Sequence, residues 1–484
     1  MLLGTARTVS RRGFLSAAAL LAVSRARALE PERAISLRAR RELEGLAAFA
    51  ESSRLALGVS VVDALSGREL FGFAADEARN PASNQKLVTA AALLHHLGAD
   101  FGFRTAICGR IAAGRVAALV LRSNGDPTLS AGAFEEMARE LGARGVREVH
   151  DILVDQSAFD RRWVPPGFEQ QPDEWAAFRA PVSAVAFERN SVIVNVTPGR
   201  AGTRAEVRFE PAGFVDVLGS VATDSAGKKQ RVRVGLVPLG ARLVARVSGS
   251  IGPEHGALRY RLRVDDPSLF AGYGLRRALE ASAINVTGAI CEGGKSEQNE
   301  LAVRRSRPLG ELVAELGKDS DNFYAEMLLK ALGGELRGQP ASSAAGADVA
   351  LAYLREIGAP LQGVSISNGS GLFDSNRLSP RTLTALLGAA YRDPKLSAPY
   401  VAHLAVGGVD GTLQHRFERL AASRAVRAKT GTLANAVALS GYVFGANRMG
   451  PLAFSILVEG TKGRASAVRS RVDQAVEALA QDSG

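Results

Sequence analysis

The sequence has 484 residues, of which 46% are apolar and 23% charged. That length exceeds one compact core and that composition excludes a disordered chain, so two or three globular domains are expected. The net charge of +11 is not gathered into Lys/Arg blocks, and five of those charges (Arg7, Arg11, Arg12, Arg25 and Arg27) precede residue 29, leaving a mild +6 that argues against a nucleic-acid partner.

The first element, "TVSRRGFLSAAALLAVSRARA", reads as an export signal over residues 1–28. It has a basic start, an apolar stretch from Phe14 to Val23 and a small-x-small cleavage site at Ala26-Arg27-Ala28. Ser10-Arg11-Arg12-Gly13-Phe14-Leu15 resembles a twin-arginine signal; a general secretory signal is the alternative. The stretch is too short to stay as a membrane anchor, and no cysteine near the cleavage site offers a lipid anchor. The mature chain is therefore expected outside the cytoplasm, in the periplasm, with no transmembrane anchor.

Glu32 to Glu51 has helical periodicity. Residues 55–77 read as two strands around a turn containing Gly67. From about 100 to 300 short alternating runs, such as "RVAALVLRS" and "REVHDILVD", are separated by Gly, Asp and Pro, which suggests inserted β-rich material. Helical patterns return after 308. Three strand candidates follow, "AVRAKTGTLAN", "AVALSGYVF" and "PLAFSILVEG", and a last amphipathic helix spans about 464–481. The plan is one α/β domain split by a long insertion.

Three short stretches carry residues able to do chemistry. Ser83-Asn84-Gln85-Lys86 opens an apolar run from Leu87 to Leu94 that has no polar stripe, so the helix is expected to be buried on most sides. Positions i and i+3 share a helix face. A buried lysine is costly unless neutral or paired, and a neutral amine beside a hydroxyl can take its proton. Taken alone, Ser83 would cap a helix and Lys86 would be solvated. Ser320-Asp321-Asn322 taken alone is a turn or helix start. Between apolar helices it could instead present a hydroxyl and an amide. Lys429-Thr430-Gly431-Thr432 lies in a strand pattern. Gly431 marks either a bulge or a close backbone approach by a ligand.

Together, in the order S-x-x-K, S-D-N, K-T-G, these stretches match the signature set of penicillin-binding proteins and serine β-lactamases. The separation between Ser83 and Ser320 is much larger than in β-lactamases. The chain therefore resembles the class C low-molecular-mass penicillin-binding proteins, which are D-alanyl-D-alanine carboxypeptidases and endopeptidases. "GDPTLS" (125–130), "VDQSAFD" (154–160), "VNVTPG" (194–199), "NGSGLFDSNRLSP" (368–380) and "VGGVDGTLQHRF" (406–417) extend the resemblance over nearly all of the mature chain.

The resemblance implies peptidoglycan stem peptides as substrate, β-lactam antibiotics as inhibitors and no cofactor. Ser83 would be the acylated nucleophile and Lys86 its base. Ser320 would relay the proton to the leaving amine, and Asn322 would hold the substrate amide and Lys86. Lys429 and Thr432 would bind the terminal carboxylate, with Thr430 and Gly431 lining that strand. The N–H groups of Ser83 and Thr432 would form the oxyanion hole, each donor contributing about 3 kcal/mol. Lys429 and the helix start would keep Lys86 uncharged. Asp155 matches an acid that contacts the free amine of the stem; read from the residues, it is a strand-end cap. The implied fold is α/β (α+β): a transpeptidase-like domain over 32–92 and 305–484, with a five-stranded antiparallel sheet, flanking helices and an all-helical lobe. A mostly β insertion holds a second domain (93–182 and 263–304) and a third (183–262).

One position departs from the pattern. Relatives often have Gly-Ser-Gly-Leu-Ser-Arg where this chain has Gly369-Ser370-Gly371-Leu372-Phe373-Asp374. The arginine helps to bind the acidic end of a diaminopimelate side chain in some of them, and Asp374 reverses that charge. Two other functions would use the same nucleophile: a β-lactam sensor or wall-binding protein that acylates without turnover, and a β-lactamase. The latter usually needs an extra glutamate after the first motif, and the sequence places none. The six histidines and two cysteines form no metal-type spacing. Whether Cys108 and Cys291 pair is not fixed by the sequence.

Overall fold

The computed structural model describes residues 34–170, 174–227, 230–239, 242–294, 299–445 and 450–482. The expected export segment, residues 1–28, lies outside them. The first domain opens with α1 (Leu37–Ser52), capped by the Ser36 hydroxyl accepting from the Ala39 N–H. A hairpin of β1 (Ala56–Asp63) and β2 (Glu69–Phe73) turns through Gly67, whose φ is +73°. Then comes α2 (Gln85–Leu97), in which every residue from Gln85 to Leu94 is buried.

After the insertion the chain builds α3 (Leu309–Lys318), α4 (Asn322–Arg337), α5 (Ser343–Glu356) and α6 (Pro380–Arg392). It closes with β3 (Ala405–Val406), β4 (Val426–Leu433), β5 (Ala436–Val443), β6 (Leu452–Glu459) and α7 (Ala465–Asp482). The strands form one antiparallel sheet in the order β3-β4-β5-β6-β1-β2. Five strands are thus joined by a sixth, two-residue strand, β3, at the edge beside β4.

Apolar layers cover both faces of the sheet. On one side α1 and α7 pack against it; on the other α6 does, with α2 to α5 layered behind it in the same apolar cluster. Hence β5 is buried at all eight positions and reads as continuous rather than alternating hydrophobicity.

Within the insertion, strands Asn285–Val286, Glu148–Asp155, Arg115–Ser123, Arg104–Gly109 and Asn299–Arg305 lie side by side. The 115–123 and 148–155 strands are parallel, joined by helix Ala131–Ala143, and helix Pro267–Ala281 packs beside that helix. This part of the insertion is therefore a mixed layer, where mostly β structure was expected. Phe134, Met137, Ala138 and Leu141 already have helical spacing, but the neighbouring β texture masks it. The described residues of 191–263 are built into short sheets, with no α-helix among them.

The strand registers put Cys108, Val120, Leu153 and Cys291 in one row across the sheet. Strands lie about 4.8 Å apart, so three steps exceed the reach of a disulfide. Both cysteines are free.

Candidate active site

The first motif sits where a short 3-10 turn, Ala82–Asn84, feeds into α2. Ala82 has φ +44°, an outlier for a residue with a side chain, and such strain collects at functional sites. Two glycines make the room around it. A Cβ on Gly371, which has φ +74°, would lie 1.8 Å from the Ala82 carbonyl oxygen; one on Gly431 would lie 3.0 Å from the Ala82 Cβ. Gly431 pairs regularly with Ala438, so it marks a close approach and not a bulge.

Lys86 is fully buried. Its Nζ lies 3.2 Å from Ser83 Oγ, 2.6 Å from Asn322 Oδ1 and 2.9 Å from the Ser370 carbonyl oxygen. Burial lowers its pKa from the usual lysine range to about 7, against the opposing pull of Glu326 and Asp321. A neutral amine has two N–H donors and one lone pair. The two carbonyl oxygens can only accept, so they take the two N–H bonds, and the lone pair is left for the Ser83 hydroxyl proton. The expectation that Lys429 and the helix start keep Lys86 uncharged needs correction: burial is the leading cause.

The second and third motifs meet across the same cleft. Lys429 is buried, and its Nζ donates to Ser320 Oγ and to the Thr430 carbonyl oxygen, each at 2.9 Å. Burial, reinforced by Lys86, pushes its pKa well below the lysine range. Asn84 ties the first motif to the third, its Nδ2 donating to the Lys429 carbonyl oxygen at 2.9 Å. The Thr430 hydroxyl donates to Thr412, and Thr432 is exposed. β3 pairs with β4 at Arg427 and Ala428, and the Gly407 N–H that follows it donates to the Val426 carbonyl oxygen at 2.9 Å. Beyond them, from Lys429 to Leu433, no strand among the described residues pairs with that edge, which is able to receive an extended peptide as an added strand.

Asp321 caps α4 by accepting from the Tyr324 N–H at 2.9 Å. The capping role available to S-D-N and its role in the cleft therefore coexist. Asp155 is not brought to this cleft. It ends its strand and accepts from the Ser157 N–H at 2.9 Å, as a strand-end cap does. The cavities it borders are lined by Arg104, Arg122 and Gln339, or by Arg161 and Glu292, and by no motif residue.

A cavity of about 340 Å³ opens beside the end of β4, lined by Asn80, Phe178, Leu372, Asp374, Leu433 and Glu459 among others. Asn80 links its two acids. The Asn80 Nδ2 donates to Asp374 at 3.0 Å, and its N–H to Glu459 at 3.1 Å.

Sequence reasoning passed over Glu326, Ser370 and Asn84. Glu326 is buried and accepts the N–H groups of Gly369 and Ser370 at 3.0 and 2.8 Å, fixing the carbonyl that Lys86 uses. A signal existed: Asn322, Glu326 and Lys330 repeat every fourth residue in the otherwise apolar run from Asn322 to Leu332.

A serine and a buried lysine one helical turn apart, a serine-asparagine pair opposite them and a lysine-bearing strand edge define an acyl-transferring serine hydrolase site of the penicilloyl-serine transferase kind. The chain belongs to the D-Ala-D-Ala carboxypeptidase 3 (S13) family, whose model matches residues 40–482. It is 36% identical over 428 residues to a D-alanyl-D-alanine carboxypeptidase of Actinomadura sp. (strain R39), covering 84% of this chain and 78% of the relative. It is 26% identical to D-alanyl-D-alanine carboxypeptidase DacB of Haemophilus influenzae, over 75% of this chain and 77% of that one. The fold superimposes on penicillin binding protein 4 (dacB) of H. influenzae with a TM-score of 0.77 at 23% identity, covering 89% of this chain and 98% of that structure.

Proposed function

We propose that this chain is a serine-type D-alanyl-D-alanine carboxypeptidase and endopeptidase acting on peptidoglycan stem peptides, and that β-lactams acylate it at Ser83. The observation that carries the reading is the buried Lys86 amine with Ser83 Oγ, Asn322 Oδ1 and the Ser370 carbonyl as its partners. Ser83 Oγ attacks the carbonyl carbon of the penultimate D-alanine while its proton passes to Lys86. The tetrahedral oxyanion forms between the N–H groups of Ser83 and Thr432. Ser320, hydrogen-bonded to Lys429, relays the proton taken up by Lys86 to the leaving amine, which departs as D-alanine, and water then hydrolyses the ester and restores the Ser83 hydroxyl.

The carboxylate of the terminal D-alanine meets Lys429 and Thr432, with Thr430 and Gly431 in the receiving strand. An anion there stabilises the charged form of Lys429 that burial disfavours. Asn322 holds the peptide amide together with Lys86. Stem peptides of the wall lie outside the cytoplasm, so the reading includes export by the segment at residues 1–28, by the twin-arginine route into the periplasm. N-terminal sequencing of the mature protein checks that step, with Leu29 as the expected first residue.

The central test mixes purified protein with a fluorescent penicillin and then with a D-Ala-D-Ala stem peptide. Label on Ser83 together with release of D-alanine is expected. Label without release, or rapid penicillin hydrolysis, would replace the reading with a sensor or a β-lactamase. Digestion of purified wall, with products weighed by mass spectrometry, separates trimmed stems from opened cross-links.

A further inference from the structure

The second motif is held from outside its own domain. Arg189 belongs to the insertion, and its guanidinium donates to Asp321 Oδ2 at 2.6 Å and to Glu315 at 3.3 Å. The same group lies over the Tyr324 ring, 4.8 Å from its centroid. It thus spans the end of α3 and the start of α4, the two helices that flank Ser320-Asp321-Asn322. Asp321 is occupied on both oxygens, by Arg189 on one and by the helix-capping Tyr324 N–H on the other. On either side of it, Ser320 contacts Lys429 and Asn322 contacts Lys86.

The segment presenting Arg189 is costly. Glu188, Arg189 and Asn190 have φ of +46°, +59° and +47° in succession. A left-handed residue of this kind persists only where its surroundings over-determine it. They do so here. The buried Asn190 donates to the Pro181 carbonyl at 2.8 Å and to Ser183 Oγ at 2.9 Å. Glu188 receives the Ala131 N–H at 3.0 Å, and its own N–H donates to the Leu129 carbonyl at 2.9 Å.

We propose that Arg189 is a positioning residue for the acylation reaction, with the strained turn of the insertion serving to clamp Asp321 and so to fix Ser320 and Asn322 against the two lysines. The proposal rests on the site reading given above. It assigns the insertion a part in catalysis beyond spacing the motifs.

The test compares wild type, R189Q, R189K, D321N and R189Q/D321N. The groups around the clamp are Asp321, Glu315, Tyr324, Arg261, Glu188 and Arg307, and those acting on Lys86 are Glu326 and Asp321. R189Q is expected to slow acylation by a fluorescent penicillin about ten- to hundredfold, the scale of a small misplacement of reacting groups. Its acid limb should move to higher pH, because an Asp321 carboxylate stripped of its cation raises Lys86 further. R189K should restore the limb but not the full rate, since one ammonium cannot span Asp321 and Glu315 as a fork does. The double variant should lose no more than R189Q, with its limb back at or below that of wild type.

Wild-type rate and an unmoved limb in R189Q, or additive losses in the double variant, would overturn the proposal. If R189Q fails to fold, R189K and D321N carry the comparison, and R189K with both the rate and the limb of wild type would then overturn it. Titration of Lys86 by nitrogen-15 NMR reads the same displacement without any acylation. Failure of the wild type to label at all would therefore sink the site reading while leaving the clamp open to test.

Discussion

At the scale of single residues, the chemistry turns on the proton of Lys86. Burial brings its pKa to about 7, and only the neutral form can receive the Ser83 proton. Acylation by penicillin is therefore expected to rise about tenfold per pH unit below 7 and to flatten above it, since each unit changes the neutral fraction tenfold. A rate constant across pH 5 to 10 would contradict this. Glu326 acts on the same equilibrium with known sign: its charge raises Lys86, so E326Q should move the limb to lower pH. That variant also puts an NH2 group where two backbone N–H groups now find acceptors. A loss of about 1–3 kcal/mol is expected, the cost of a buried donor left unpaired, and urea titration measures it. The lysine was legible in the sequence because its helix has no polar stripe to offer it water. Glu326 was not: its partners, Gly369 and Ser370, lie in a loop far along the chain, and only the fold brings them to it.

At the scale of elements, the site is a junction of two helix starts and the middle of a strand pressed together. The helices and central strands of the first domain followed from apolar periodicity and its interruptions by Gly and Pro, whereas the two helices of the insertion did not. Hidden from that reading were the irregular segments, above all residues 366–378. Their Asn and Ser side chains have no periodic pattern and are satisfied mutually, as where Asn368 Nδ2 meets Ser375 and Asn376 Nδ2 meets Asn368. Gly371 joins this loop to the serine turn. An alanine there would take a φ of +74° and push its Cβ to 1.8 Å from the Ala82 carbonyl oxygen. G371A is expected to cost more than about 1 kcal/mol, because a left-handed position and a backbone clash combine. Its penicillin labelling should fall further than that of a variant equally destabilised elsewhere, since the atom displaced precedes Ser83. Equal labelling at matched Tm would show that the loop only supports the fold.

At the scale of the whole molecule, the insertion does more than separate motifs in sequence. Its Gln170 and Phe178 help to wall the 340 Å³ cavity at the end of β4, opposite Asp374 and Glu459 from the first domain. A peptide added along β4 would lay a side chain toward this space. Arg377 pairs with Asp374 at 2.5 Å, which leaves the group of three with one net negative charge. None of the described lining residues is a lysine or arginine. A side chain ending in an amine alone gains from that field, whereas one ending in both amine and carboxylate brings a like charge into a partly enclosed site. Stem peptides with lysine at the third position are thus expected to be cleaved with higher kcat/KM than those with diaminopimelate, by about tenfold or more for one poorly matched charged group. D374R should reverse the order, because it replaces the acid with a cation that can hold a carboxylate in bidentate fashion. Penicillins that lack such a side chain should label both proteins alike, separating specificity from damage to Ser83. A preference for diaminopimelate in the wild type, unchanged in D374R, would mean that the peptide's side chain lies elsewhere and that the charge reversal at Asp374 has no part in choosing the substrate.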